Sequence, residues 1–407
     1  MERCCLTLRL EKSLQKRRKQ GTYRELREDA GSYIDFSTND YLGFAQSCEL
    51  CAFIASKRNE CKVANLGSTG SRLLSGNSAY CMEVERSLAR FYRAEDALLF
   101  NSGYTANLGV LSCLPSSEDW VLYDELIHNS SLEGIRLSRA LRKPFRHNDT
   151  AHLEELLSKV PSSKNAIFIV VESIYSMDGD EAPVMELVRL CRKYRNAYVI
   201  IDEAHGVGVC GDTGAGLLEA KGLLEDVNSM QRSSREILCC RIYTFGKAMG
   251  IHGAVVCGSQ TMIRYLVNYA RSFIYTTSLP PEHLVTIHYV HEFCKKSSET
   301  RNRLQHLVRY FRDKVIEESG IPPKALLHSV SAIQGVLIDG NEAVSWAVDE
   351  MKKRGLMVYA IRAPTVRRGK ERIRINLHAH NTEVEIDQLV KALAFVFVAL
   401  SKPKSRI

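Results

Sequence analysis

No apolar run in this chain approaches the roughly 18 residues that a membrane-crossing helix needs, so a helical span is excluded. No internal repeat and no low-complexity tract interrupts it, which removes solenoids and disordered scaffolds. Nor does it open on a secretory signal. The 13 cysteines are odd in number and scattered, several of them inside apparent strands, so they read as reduced thiols of an intracellular protein and not as a disulfide framework. Cys48 and Cys51 form a CxxC without a second pair or a histidine at finger spacing, so the reading there is buried thiols and no metal site. The Walker phosphate loop is missing as well. "DEAH" at 202–205 is spelled like a helicase element, but Lys247 is followed by Ala248, and Arg241 stands where the first glycine of a GxxxxGK[ST] loop belongs. Gly206, Gly208 and Gly211 satisfy GxGxxG after a strand. "GDTGAG" follows them where a dinucleotide fold needs an apolar helix, so a nicotinamide site is not supported either.

What is present describes a globular protein of more than one core. At 407 residues the chain exceeds the size at which a single core stops growing, and 45% apolar with 25% charged residues is an ordinary interior-to-surface balance. The formal charge of +8 is concentrated in "KSLQKRRKQ" and the tail "SKPKSRI", a balance that favours anionic ligands such as a coenzyme; nothing supports nucleic acid or a membrane as partner. Residues 1–45 read as a basic helical arm and a short extended piece, with Asn39, Asp40 and Gly43 marking turns. From 46 to 285, β-type runs alternate with helical patterns: "DALLFNSG", "DWVLYDE", "NAIFIVVES", "NAYVIIDEA", "ILCCRIYTFG" and "HGAVVCG". That alternation predicts βαβ units, a mostly parallel sheet and helices on both faces. Residues 286–400 read as a smaller domain. It closes on an amphipathic helix that carries Ile386, Leu389, Val390, Leu393 and Phe397 on one face and a Thr382/Glu385 capping box; residues 401–407 are expected as an exposed tail.

One lysine stands out. Ile237 to Tyr243 reads as a buried strand, and Lys247 follows it between glycine-containing turns, at the carboxyl edge where open α/β sheets bind ligands. A poorly hydrated lysine there has a lowered pKa and serves as an amine nucleophile. Asp202 closes the strand "AYVIID", His205 follows it, His128 follows "WVLYD", and "NSGYTAN" places Ser102 and Gly103 at a helix start suited to a phosphate. A carboxylate that keeps a pyridine nitrogen protonated, an amine for an aldehyde and a helix start for a phosphate are together what pyridoxal 5′-phosphate (PLP) requires.

Here the chain resembles a known family. "FSTNDYLG", "GSTGSRLLSGNS", "ALLFNSGYTANLGVL", "DELIHNS", "ESIYSMDGD", "IIDEAHGVGVCGDTGAG", "TFGKAMG", "IYTTSLPP" and "AIRAPTV…RIRINL" run nearly end to end in the order found in α-oxoamine synthases, class II aminotransferase-like PLP enzymes. The resemblance implies fold type I: a mostly parallel seven-stranded sheet in a large domain and a smaller α+β C-terminal domain. It makes Lys247 the Schiff-base lysine, Asp202 the partner of the pyridine nitrogen, His205 the partner of the phenolic oxygen and His128 the residue that covers the ring, with Ser176 at the site edge. Ser102, Gly103, Tyr104 and Thr244 would hold the phosphate, and Thr276 would reach it from a neighbouring subunit, which implies a homodimer with shared sites. Arg374 matches the arginine that grips the amino-acid carboxylate. Arg362, Thr365 and, more loosely, Arg24 match positions near the distal end of the acyl chain.

Within the family the resemblance leans, through "RAPTV", towards the members that join L-alanine to pimeloyl-CoA for biotin. Members that make 5-aminolevulinate, 2-amino-3-oxobutyrate or a secondary metabolite, and a silent partner subunit of the same fold, are the other readings. The segment after Arg24 is shorter than usual, "HNS" replaces "HAS", and "DVNSMQRSSREILCC" is long and polar. Ser405-Arg406-Ile407 resembles the peroxisomal ending SKL, so an import tail is expected.

Overall fold

A computed structural model describes residues 5–26, 32–61, 65–161, 165–224 and 234–401; the tail triplet 405–407 lies outside them. Among these residues no helix is long and apolar enough to cross a membrane. The strands are β1 (Ile34–Asp35), β2 (Asp96–Phe100), β3 (Trp120–Asp124), β4 (Leu141–Phe145), β5 (Ile167–Glu172), β6 (Ala197–Asp202), β7 (Cys240–Thr244), β8 (Ala254–Gly258), β9 (Ile333–Leu337), β10 (Leu356–Met357), β11 (Tyr359–Ile361) and β12 (Arg372–Asn376).

Seven of them form one sheet in the order β2-β8-β7-β6-β5-β3-β4, parallel except for β8, which runs against both β7 and β2. This is the mostly parallel α/β sheet anticipated from the alternating runs. Both its faces are covered, as the unbroken apolar strands require. Leu99, Leu122, Ile169, Val199 and Val255 belong to one core cluster, while their strand neighbours Leu98, Val121, Val170, Ile200 and Val256 belong to the other. The two-residue period of the strand thus sorts one continuous apolar run onto two helical layers.

Six of the seven strands fall on runs recognisable in the sequence. The seventh, β4, is "LRKPF", an edge strand exposed over its first four residues and carrying Pro144, so it lacks both the apolar run and the alternation that would mark it. The run before Lys247 also starts later than its composition suggests. Ile237 closes a short helical turn, Ser234–Ile237, and pairing begins at Cys240. Cys48 and Cys51, read as buried, are exposed on the helix Cys48–Cys61.

β9, β11 and β12 make a small antiparallel sheet in the order β11-β12-β9. The segment after the basic helix α1 (Cys5–Lys19) joins this C-terminal part: β1 pairs with β10, and the amide of Asn376 donates to Phe36 O at 2.8 Å. The closing helix Glu383–Ser401 starts at the expected capping box, with Glu385 N donating to Thr382 Oγ1 at 3.2 Å and Thr382 N to Glu385 Oε2 at 2.8 Å.

Candidate active site

Asp124, Glu172, Asp202 and Thr244 terminate β3, β5, β6 and β7, so four parallel strands deliver a polar side chain to one edge of the sheet. β2 ends at Phe100 on the same edge, opposite Ala254 and hence beside Thr244. The chain then turns into the helix Gly103–Cys113, whose start is capped twice: Thr105 N donates to Ser102 Oγ at 3.3 Å and Ser102 N to Thr105 Oγ1 at 3.1 Å. Gly103 is required there by contact. A Cβ on it would lie 2.0 Å from Thr244 Oγ1, so the helix start and the end of β7 touch through a missing side chain. The first turn of a helix leaves backbone amides without partners in the helix, and the hydroxyl of Thr244 lies beside this one, the composition of an anion seat.

Asp202, 7% exposed, is held from two sides. Ala204 N donates to Oδ1 at 2.9 Å, and Asn107 Nδ2, one turn into the capped helix, donates to Oδ2 at 2.7 Å. The same amide nitrogen donates to Ser130 Oγ at 3.0 Å, and that hydroxyl lies 2.7 Å from His128 Nδ1. His128 itself caps the helix Asn129–Ser138, accepting from Ser130 N at 3.2 Å. Burial, foremost, pulls the His128 pKa below its ordinary value. The ring is therefore neutral at neutral pH and fixed by its cap.

Lys247 is half-buried on the turn after β7. Its Nζ lies 2.8 Å from His205 Nε2, and His205 Nδ1 lies 2.8 Å from the Tyr41 hydroxyl, which reaches Asn39 Oδ1 at 3.1 Å. Asn39 Oδ1 also accepts from Arg374 Nη2 at 3.2 Å, and Arg374 Nε donates to Ser176 O at 2.8 Å. With the Tyr41 proton given to Asn39, the tautomer that makes every contact a hydrogen bond has His205 protonated on Nδ1 and accepting from Lys247 on Nε2. Burial first, then the cations Lys247 and Arg374, hold His205 well below its ordinary pKa. Desolvation likewise pulls Lys247 down to about 8, against the pull of Asp202 in the other direction. Beside it opens a cleft of about 410 Å³ lined by Thr38, Asn39, Asp40, Gly246 and His252.

The structure thus brings Lys247, His205, Asp202, His128, Ser176 and Arg374 into one linked set, with Ser102, Gly103, Tyr104 and Thr244 at the neighbouring helix start. Thr276 takes a hydrogen bond from Asn101 Nδ2 of its own chain at 3.3 Å, one residue ahead of Ser102. Arg362 and Thr365 share a turn closed by Thr365 N donating to Arg362 O at 2.9 Å, and the guanidinium contacts Ser345 Oγ at 3.5 Å, outside the linked set. Arg24 is exposed between α1 and β1.

Five members of the site escaped the sequence reading: Asn39, taken only for a turn, and Asn107, Ser130, Tyr41 and Glu172. Glu172 had a signal, an acid closing an apolar strand as Asp202 does, and the two face each other in register. It is 4% exposed, one oxygen accepts from Ser176 N at 3.1 Å, and the other has no partner among the described residues. Burial, then Asp202, raises its pKa to about 8, so it is protonated at neutral pH.

Residues 32–393 match the family model described as aminotransferase class I and II. An 8-amino-7-oxononanoate synthase of Emericella nidulans is 35% identical over 427 aligned residues, covering 99% of this chain and 98% of its own length. One of Cellvibrio japonicus is 36% identical, covering 94% of each chain. Among solved structures, a serine palmitoyltransferase from S. paucimobilis carrying PLP and myriocin superposes with a TM-score of 0.83 at 27% identity, over 98% of this chain and 99% of that one. An 8-amino-7-oxononanoate synthase from Francisella tularensis gives a TM-score of 0.73 at 26% identity, over 91% and 99%.

Proposed function

The chain belongs to the aminotransferase class I and II family, and within it to the α-oxoamine synthases, PLP-dependent acyltransferases; on that footing we propose that it joins L-alanine to pimeloyl-CoA, releasing CoA and CO₂ to give 8-amino-7-oxononanoate. The residues fit the cofactor. Asp202 offers a carboxylate already anchored by an amide, Lys247 an amine near neutrality, and the capped start at Gly103 an anion seat beside Thr244. Asn107 Oδ1 has no partner among the described residues, and so is free for a donor arriving next to Asp202. Bound there, the cofactor supplies a pyridine ring that withdraws electrons from the substrate's α-carbon.

The protein's own groups set the order of events. Arg374 spends two of its five N–H donors on Ser176 O and Asn39, which fixes the fork and leaves three for a carboxylate. For an amino acid gripped there, Lys247 is assigned the α-proton, because its lowered pKa makes Nζ a competent base near neutral pH. His205 holds that nitrogen in place through Nε2. His128, anchored by its cap, bounds the same space and excludes water. Arg362 and Thr365, with Arg24, are assigned to the far carboxylate of the acyl chain, a role that rests on their place in the "AIRAPTV" motif and in the arm.

The reading extends to a homodimer. Ser278 N donates to Gly70 O at 3.0 Å and Ser278 Oγ to Gly76 O at 2.7 Å, so the 70–76 loop and the Thr276 segment form one surface, where Leu74 and Tyr275 are 82% and 74% exposed. Thr276 of a partner subunit would complete the phosphate seat from that surface.

The observation that carries the proposal is the desolvated Lys247 held by His205 beside the anchored Asp202. The test is spectral titration of the purified, PLP-loaded protein with alanine, glycine and serine, followed by pimeloyl-, succinyl-, acetyl- and palmitoyl-CoA with mass detection of the product. Alanine with pimeloyl-CoA should be the most efficient pair. Preference for serine with palmitoyl-CoA, or for glycine, would refute the substrate assignment while leaving the cofactor chemistry intact.

A further inference from the structure

Beyond the residues that would touch cofactor or substrate, Asp124, His147, Asn148 and Asp180 form a second polar cluster at the same sheet edge. Asp124 ends β3 with its side chain fully buried. Its Oδ1 accepts from Leu126 N at 2.9 Å, its Oδ2 from Asn148 N at 2.8 Å, and its carbonyl from Ile127 N at 3.2 Å. The turn from Glu125 to Ile127 is thereby wound around one aspartate, and the next residue is His128. On the far side, Asp180 O accepts from Tyr175 N at 3.0 Å and Tyr175 O from Gly179 N at 2.8 Å, closing the hairpin that presents Ser176 to Arg374.

His147 spans the two. Its Nδ1 lies 3.0 and 3.2 Å from the oxygens of Asp124, and its Nε2 lies 2.8 Å from Asp180 Oδ2. Its ring meets Tyr175 edge-on with centroids 4.4 Å apart. Both ring nitrogens face carboxylate oxygens, which only accept, so the ring carries both protons; burial favours the neutral ring, but the two aspartates together outweigh it and hold the ring charged, up to a pKa of about 10. Asn148 completes the tie. Its side-chain amide donates to Asp180 Oδ2 at 2.8 Å and to Glu181 O at 3.1 Å, from a left-handed backbone at φ 52° that asparagine tolerates.

We propose that His147 is a positioning residue of the active site, an imidazole brace that locks the turn carrying His128 to the hairpin carrying Ser176 and so sets the distance between the ring-covering histidine and Arg374. The proposal rests on the functional reading above, because Arg374 matters to it as the grip for the amino acid. Packing alone does not call for this arrangement. A neutral side chain filling the same space would leave two carboxylates facing each other across it, one of them fully buried.

The experiment uses PLP-loaded enzyme, with alanine affinity read by spectral titration without acyl donor, and kcat and KM read per loaded site. His147→Ala should weaken alanine binding by about 10- to 100-fold, the loss expected when a reacting group is displaced by about an ångström. Asp180→Ala cuts only the hairpin side and should show a milder shift of the same kind, which keeps the test open if His147→Ala fails to fold. Asp180→Asn retains an acceptor oxygen and should stay within about 3-fold of wild type. A purely structural role predicts a lower loaded fraction or melting temperature with unchanged alanine affinity and KM in both alanine variants, and that result overturns the proposal. Wild-type enzyme that responds to no amino acid would overturn the functional reading and the brace together; a loss confined to the variants supports the brace.

Discussion

If Lys247 is the amine that takes up PLP, as proposed, its pKa can be read from the rate at which the apoprotein captures the cofactor. An amine with a pKa of about 8 is about 9% neutral at pH 7, whereas at the ordinary lysine value the neutral fraction is about 0.03%, so the site raises the reactive form about 300-fold. The cause is desolvation at the turn after β7, offset in part by Asp202 and reinforced by Arg374. Stopped-flow measurement of chromophore formation from apoprotein and PLP between pH 6 and 10 should therefore show a rate that climbs about tenfold per pH unit and levels near pH 8. Borohydride trapping followed by peptide mapping should identify Lys247 as the residue modified. Replacing Arg374 with Gln removes a cation that pushes the amine down, so the break should move up in pH while trapping still labels Lys247. A rate that rises without a break to pH 10, or a break unmoved by the Arg374 change, would refute the electrostatic account of the site.

Three other substitutions probe separate parts of the site. Asn107→Leu strips the buried Asp202 of a charge-assisted hydrogen bond worth about 1.5–3 kcal/mol, so the melting temperature should fall by a few degrees, and PLP affinity by equilibrium dialysis should fall as well because the carboxylate loses its anchor. Gly103→Ala forces a Cβ against Thr244 Oγ1, an overpacking cost of about 1–3 kcal/mol that should appear as weakened cofactor retention, and adding Thr244→Ala should recover part of the loss. Arg374→Lys keeps the charge but loses the fork held by Ser176 O and Asn39; KM for the amino acid should rise at least about tenfold while the spectrum of the resting enzyme is unchanged.

The legibility of this fold in its sequence follows burial. β5 and β6 lie inside the sheet with helices on both faces, so every position before the closing acid is apolar and the run announces itself. β4 lies at the sheet edge, where half of a strand's hydrogen-bonding potential faces solvent and the sequence is free to be "LRKPF". The site divides along a similar line. Lys247, Asp202 and His128 are polar residues that interrupt or follow apolar runs, so position exposes them. Asn107 and Tyr41 lie within a helix and a loop and acquire their roles only from three-dimensional contacts, Asn107 with a strand 95 positions away and Tyr41 with a histidine 164 positions away. No spacing rule reaches across such separations. His147 was invisible for the same reason: its meaning depends on Asp124 and Asp180, which lie 23 and 33 positions off.

The distribution of charge explains why these partners are neutral where a salt bridge would be the simpler choice. Asp202 is anchored by an amide, Asn107, and not by a cation, so its charge remains available to an incoming positively charged ring nitrogen. Glu172 sits in register with Asp202 and would repel it if ionised, but burial and that repulsion together keep it protonated at neutral pH. His205 and His128 are kept neutral by desolvation and by the cations nearby. Within the linked set around Lys247, Arg374 and the protonated fraction of Lys247 then stand against Asp202, leaving that set neutral to positive. That balance suits an anionic phosphate at the Gly103 helix start and a carboxylate at Arg374 in the same site. An arginine in place of Asn107 would neutralise Asp202 inside the protein and add a fixed cation, leaving the bound ring with no carboxylate to keep its nitrogen protonated.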